Sequence, residues 1–498
     1  MLRLRNAHIS YSGPQILADL VKATPQIASS TRIALLPIYV LQLVLRWFLI
    51  APRRLRETFR QYLKLLRTRR RSRVPRFYFA DASANAVAAK VSITSSLLKE
   101  YCPSRLLFNG HLQTAYGAYG DFSSIDRVVY DSRKLIRLMD GGTLSLDFTP
   151  PEDERRIPDD TPVVVTFHGL TGGSNEAYIR SIIVPATAPR DEGGLGYRAV
   201  VVNFRGCAGT PVTSEQLYHC GNTDDARQAL MYIAKRYPRA RLIGLGFSLG
   251  ANVLVRYLAQ EGEESRLVAG CALGCPWDLK SVSYKLSNGA WIDRMYSRTL
   301  AHNMATLIKR NADKLANNPK LSEALPYLLA LPSPTLWDFD RYYAYEEKAH
   351  GNCAFQSPGD FYRWASSHYV LSDVRVPLLA INADDDPIVR DLPLDVGGNP
   401  LVSLVVTRGG GHLGWFASEN KGNLTRRRRT RWVKQPVLEW LRAVGEELAV
   451  DLPRGRPLCT NDTYVTEFGR PDLGFKEIDG GGKFRGETLR IEGTVLGF

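Results

Sequence analysis

The chain has 498 residues, of which 44% are hydrophobic and 23% charged, with a formal net charge of +15 and 7 cysteines. It is too long for a disulfide-stapled miniprotein, and its mixed composition excludes wholesale disorder and a multi-span membrane protein. The charge is concentrated: residues 1–76 hold 16 Lys and Arg against Asp19 and Glu57, a net of +14, so of the total of +15 the remaining 422 residues carry only +1. A nucleic-acid-binding domain would show its basic patch on the folded body, so no nucleic-acid partner is expected. The cysteines are odd in number and lack zinc spacing, which predicts buried reduced thiols.

In chain order, the first feature is the apolar stretch of residues 33–51, interrupted only by Pro37, Gln42 and Arg46 and close to the length of a bilayer span. Arg46 lies near enough to its end to snorkel, and Tyr39 and Trp47 suit an interface. The arginines crowd on its downstream side, between 53 and 76, which by the positive-inside rule leaves the body in the cytosol. Arg56, Phe59, Tyr62, Leu63 and Leu66 at helical spacing continue it as a basic amphipathic helix. Residues 1–76 are therefore expected to form an arm that holds the protein to a membrane through residues 33–76. A mitochondrial targeting segment and a buried helix are the competing readings.

From about residue 125 short β-branched runs begin. Residues 125–130, 134–139 and 144–148, with a turn at Asp140-Gly141-Gly142, predict an antiparallel start. Residues 162–168, 198–204, 241–247, 267–273, 376–382 and 401–407 are solid apolar runs without polar alternation, as in strands buried on both faces of a parallel sheet. Helical patterns over 224–237 and 249–260 alternate with them, the rhythm of a doubly wound α/β sheet. Residues 276–375 break that rhythm with aromatic-rich helical stretches. They are read as a cap inserted over the carboxyl end of the sheet, a candidate wall for an acyl chain. Residues 452–498, which include Gly480-Gly481-Gly482, are predicted to be a loop-rich tail of no assigned role.

Gly246-Phe247-Ser248-Leu249-Gly250 lies directly between a predicted strand and a predicted helix, the context in which G-x-S-x-G lifts a serine hydroxyl above a sheet. A serine hydroxyl needs a base to take its proton as it attacks an ester. His412, in the glycine-rich loop after the last sheet strand, is the candidate base. A carboxylate should orient the ring, and residues 384–386 offer three; Asp386, followed by Pro387-Ile388-Val389, is chosen, with Asp385 the alternative and the remaining acids solvated or capping. The order Ser248, Asp386, His412 is that of α/β-hydrolases. Oxyanion donors are expected from the backbone amides of Leu170, in the turn after the strand 162–168, and of Leu249. His168, at that strand's end, is expected to shape the loop and not to act as base. His219 and Asp224 show the H-x-x-x-x-D spacing of some acyltransferases, read here as scaffold, and Arg426–Arg431 is either a second lipid-facing stretch or a solvated helix start. No metal cluster or cofactor fingerprint is found in the sequence.

Together with the serine motif, the segments 108–114 (FNGHLQT), 168–174 (HGLTGGS), 203–209 (NFRGCAG), 382–387 (NADDDP) and 412–415 (HLGW) resemble the α/β-hydrolase-domain (ABHD) family, with its YheT-like hydrolases and fungal medium-chain fatty acid ethyl ester synthase/esterases. The resemblance spans roughly residues 100–450. It implies an α/β-hydrolase fold with a mostly parallel central sheet, helices on both faces and an inserted helical cap, a Ser248, Asp386, His412 triad, and ester chemistry on lipid-like acyl groups. A serine esterase that can also make esters by alcoholysis is thus the leading expectation. A non-catalytic membrane-associated scaffold on the same fold is its rival.

Overall fold

The computed structural model describes residues 74–80, 96–151 except 98, 157–339, 355, 357–418, 429–449, 451–461 except 453, and 463–485. The hydrophobic segment 33–51, the basic helix over 56–66 and nearly all of the arm lie outside these residues. Among the described residues no helix is long and apolar enough to cross a membrane.

The solid apolar runs become the central strands β4 (Val163–Phe167), β5 (Arg198–Asn203), β6 (Leu242–Phe247), β7 (Leu267–Leu273), β8 (Leu378–Ala383) and β9 (Val402–Thr407), and every residue in them is buried. They lie in the order β9-β8-β7-β6-β4-β5, all parallel, inside a twelve-stranded sheet of the described residues. Burial on both faces explains the missing alternation: Val163, Val165 and Phe167 of β4 join one apolar layer and Val164 the other. Each such fully buried aliphatic side chain contributes about 1.5–3 kcal/mol. The first layer is closed by α3 (Asp224–Arg236) and α4 (Leu249–Glu261), through Leu230, Ile233, Leu254 and Leu258; the second by α2 (Ala177–Thr187) and α9 (Lys434–Arg442), through Ile179, Ile182, Val437 and Trp440.

Several expectations need correction. Only Val129 and Tyr130 of the run 125–130 are strand, and they join the run 134–139 in one strand, β2 (Val129–Leu138), antiparallel to β3 (Thr143–Thr149). The described part of the tail is not loop-rich: β12 (Leu458–Asn461), β13 (Tyr464–Glu467) and β14 (Arg470–Arg485) extend the sheet, β14 running antiparallel to β2. Phe475 is buried there against Tyr232 at 5.5 Å between ring centroids, and Glu467 pairs with Arg266 at 2.8 Å. Gly480–Gly482 sit where the β14 register shifts, so the glycines mark a bulge within a strand. Arg76, counted with the arm, opens the edge strand β1 (Arg76–Tyr78), antiparallel to β9. Of the thiols, Cys207, Cys271 and Cys275 are buried, but Cys102 is exposed.

Between β7 and β8 the described residues include the helices α5 (Leu279–Asn288), α6 (Trp291–Arg310), α7 (Pro319–Ala330) and α8 (Pro358–Ala365). Asn252 of α4 anchors this insertion to the body, donating to Ala365 O at 2.9 Å and accepting from Ser367 N at 3.1 Å. The strand order reverses around β4, which has β5 on one side and β6 on the other, and in such sheets the crevice beyond the carboxyl ends at the reversal is where ligands gather.

Candidate active site

Four loops leave the carboxyl ends of β4, β6, β8 and β9, and each carries one part of the site. After β6 the chain turns straight into α4, and Ser248 at the turn has φ +50° and ψ −120°, a left-handed conformation held by its N–H on Leu273 O at 2.9 Å. The motif's glycines answer to contact. A Cβ at 246 would lie 2.6 Å from Ala251 Cα, and one at 250 would overlap the carbonyl oxygens of Phe167 and His168.

Ser248 Oγ stands 2.8 Å from His412 Nε2, and His412 Nδ1 stands 2.8 Å from Asp386 Oδ2. His412 and Asp386 are buried, and Ser248 is only 8% exposed. The structure therefore joins the three sequence-chosen side chains in one hydrogen-bonded row. Asp386 is fixed from behind, because its Oδ1 accepts from Ile388 N at 2.8 Å and Val389 N at 2.9 Å.

The neighbouring acids are not idle. Asp385 Oδ1 accepts from Gly411 N at 2.8 Å, and Asp384 Oδ1 accepts from Gly409 N at 2.9 Å while its other oxygen pairs with Arg76 at 3.2 Å. They were expected to be solvated or capping; instead they brace the histidine loop, which needs donors satisfied as it turns back. Burial pushes the Asp385 carboxyl up to about 6, with the Asp384 and Asp386 charges adding to the rise. Gly411, at φ +61°, lies so close to Gly110 O that a Cβ would overlap it.

Sequence reading missed what supports His412 from the other side. Thr114 Oγ1 accepts from His412 N at 2.8 Å and donates to Gly110 O at 2.8 Å, and Gln113 bridges Phe416 N at 2.7 Å to Leu107 O at 2.7 Å. Both belong to α1 (Gly110–Tyr119), whose cap Asn109 accepts from Leu112 N at 2.9 Å. The segment 108–114 was visible as a motif, but nothing in its residue types points to a histidine 298 positions away. Arg431 is the second omission. It was read as part of either a lipid-facing stretch or a solvated helix start, yet it is buried in the short strand Arg429–Arg431, donating to Leu413 O and, at 3.2 Å, to Gly414 O, with its guanidinium 4.4 Å over the Phe416 ring. Burial lowers it to about 10. The rest of that stretch, 426–428, lies outside the described residues.

On the β4 side, Gly169 N donates to the Tyr178 hydroxyl at 3.0 Å and Thr171 N to the Tyr218 hydroxyl at 2.7 Å. Between them the Leu170 N–H has no partner among the described residues. Leu249 N opens α4, where first-turn amides lack intrahelical acceptors. Two unsatisfied donors, one on each flanking loop, are what an oxyanion would use. His168 is buried, lowered by that burial to about 4 and so neutral, with Nδ1 on Gly169 O at 2.7 Å and Nε2 accepting from Phe204 N at 3.1 Å. Both nitrogens are thus occupied in holding the loop. His219 accepts from Gly221 N at 3.2 Å and packs on Phe361 and Trp364, while Asp224 pairs with Arg227. No group of His, Cys, Asp and Glu able to hold a metal occurs among the described residues.

A family model described as alpha/beta hydrolase fold matches residues 162–416. The monoacylglycerol lipase of Saccharomyces cerevisiae is 30% identical over 382 residues, covering 69% of this chain and 81% of that protein. An abhydrolase domain-containing protein of Dictyostelium discoideum is 33% identical over 330 residues, covering 64% of this chain and 77% of its own. The medium-chain fatty acid ethyl ester synthase/esterase 2 of Saccharomyces cerevisiae is 29% identical over 385 residues, covering 65% and 83%. With its reversed parallel sheet, its serine at a strained strand-to-helix turn and a family match over half its length, the chain belongs to the α/β-hydrolase family.

Proposed function

We propose that this protein, a carboxylic ester hydrolase, cleaves lipid-derived acyl esters, of short to medium chain length or of the monoacylglycerol type, using Ser248 as nucleophile, His412 as base and Asp386 as the acid that orients the ring. The observation that carries this reading is the row of two 2.8 Å hydrogen bonds from Ser248 through His412 to Asp386. Ser248 Oγ attacks the ester carbonyl as its proton passes to His412 Nε2, and the carbonyl oxygen becomes an oxyanion held by the Leu170 and Leu249 amides. The C–O bond then breaks, His412 returns the proton to the leaving alcohol, and the acyl group stays on Ser248. Water attacks next, by the same base, releasing the acid. An alcohol in its place gives a new ester, so hydrolysis and ester synthesis are two exits from one acyl-enzyme. The names of the yeast relatives support a lipid-derived acyl donor. In this reading residues 33–76 hold the body at the cytosolic side of a membrane.

The test is a pair of measurements on Ser248→Ala. Hydrolysis of a medium-chain ester and ethyl ester formation in aqueous ethanol should fall together to background, and a fluorophosphonate probe should label the parent protein at residue 248 alone. Hydrolysis surviving in the variant, or labelling elsewhere, overturns the assignment.

A further inference from the structure

The cap's longest helix, α6, is two-faced in an unusual way. Its inner face buries Ser297, Leu300, Ala301, Met304, Leu307 and Ile308. Its outer face begins with Trp291, 67% exposed, and Met295, 52% exposed, and continues with Arg294 and Arg298. Neither guanidinium has a hydrogen-bond or ion-pair partner among the described residues. The only acid in the helix, Asp293, is turned inward, where its carboxylate accepts from Ala290 N at 2.9 Å and pairs with Lys285 at 3.6 Å. A helix face that is cationic, apolar and free of acid is conspicuous on a body that carries only +1 outside residues 1–76. Arg298, His302 and Lys309 continue it along a groove of about 320 Å³ whose other wall includes Leu328, Leu329 and Pro332, a basic side against an apolar one.

We infer that this outer face of α6 docks on an anionic lipid bilayer. Charge decides the occupant. Exposed Trp and Met gain by entering the headgroup and acyl boundary, and unpaired arginines beside them gain by meeting anionic lipid. A protein partner would need a matching acidic surface, and a second copy would bring like charge against like. The position agrees with the chemistry. Tyr296, the residue after Met295, turns inward to His111 Nδ1 at 3.0 Å, and its phenol is raised first by burial and next by the Asp386 carboxylate. The docking face therefore borders the seam between cap and body at which the candidate triad lies. The inference needs neither residues 33–76 nor the ester chemistry.

The experiment places photoreactive benzoylphenylalanine in the full chain, in place of Trp291 and separately in place of Arg239, which lies beside the amino ends of the strands. Each protein is irradiated with vesicles of phosphatidylcholine alone or with about one third phosphatidylserine, and lipid adducts are counted by mass spectrometry. With phosphatidylserine, position 291 should give at least about tenfold more lipid adduct than 239, and Arg294→Glu with Arg298→Glu should lower it by about tenfold or more. Equal adducts at the two positions, indifference to the charge reversal, or protein adducts in place of lipid overturn the inference. An inactive esterase that still gives lipid adducts at 291 refutes the proposed function and leaves this inference standing.

Discussion

Asp386→Asn probes the proposed chemistry most sharply, because the structure dictates which way the new amide must turn. Asp386 Oδ1 faces two backbone donors, Ile388 N at 2.8 Å and Val389 N at 2.9 Å, while Oδ2 faces only His412 Nδ1 at 2.8 Å. Asparagine keeps the shape but has one oxygen to offer. Turning its NH2 toward the two amides would leave buried donors facing donors, at a cost of about 1–3 kcal/mol for each unmade bond. The oxygen therefore stays on the amides and the NH2 donates to His412 Nδ1. The imidazole must then carry its proton on Nε2, where it points at Ser248 and cannot accept the serine proton. Loss of the right tautomer in this arrangement costs about 10⁴ in kcat, or roughly 5 kcal/mol. Volume and backbone bonds are retained, so the unfolding temperature should hardly change. The assay is kcat on a water-soluble chromogenic ester beside a thermal melt, with Asp385→Asn as the companion, since an asparagine there can still accept from Gly411 N. A folded Asp386→Asn protein within about tenfold of the parent kcat, or a larger loss in Asp385→Asn, would refute the reasoning.

Asp385 also predicts a pH effect on stability. Its folded value of about 6 exceeds its ordinary 3.8, so its protonation stabilises the fold fully below about 3.8 and that contribution is lost as pH rises through about 6. The neutral Asp385→Asn should gain relative to the parent between pH 4 and 7, by up to about 3 kcal/mol, and a flat or reversed difference in paired melts would refute the shift. Gly250→Ala should abolish soluble folded protein or lower stability by about 3 kcal/mol or more, since the methyl would overlap the fixed carbonyls of Phe167 and His168; a parent-like melt would show that the turn yields. Arg431→Met should lower kcat by about tenfold or more with little change in KM, because the carbonyls of Leu413 and Gly414 lose the donor that ties down the histidine loop. Stability should move less, since removing a buried cation offsets part of the lost bonding, and unchanged kcat would remove Arg431 from the positioning set.

Most of the central sheet was legible in advance because burial on both faces leaves a signature in consecutive residues: β4 and β8 are apolar on both faces, with Thr166 and Asn382 their single polar residues. The edges were not. β14 is exposed over residues 479–483 and interrupted by a glycine bulge, so its composition resembles a loop, and only pairing with β2 and β13 makes it a strand. Short runs at 125–130 and 134–139 looked separate because Asp131, Ser132 and Arg133 lie between them. In the strand Arg133 is held by Asp147 at 2.7 Å, which removes the objection to charge there.

The site divides along the same line. Ser248 and its glycines are local: a sharp strand-to-helix turn needs small residues beside it, and that constraint is written in five consecutive letters. His412 and Asp386 followed from chain order at strand ends. Among three adjacent aspartates, Asp386 was singled out by the Pro387-Ile388-Val389 that follows it; that the other two brace the loop opposite depended on where β8 ends relative to β9, a register that no local pattern encodes. Thr114, Gln113 and Arg431 are more remote still. Each acts on a backbone group, and every residue has a backbone N–H or C=O, so the partner leaves no mark in the sequence; only the packed chain selects which amide or carbonyl each side chain reaches.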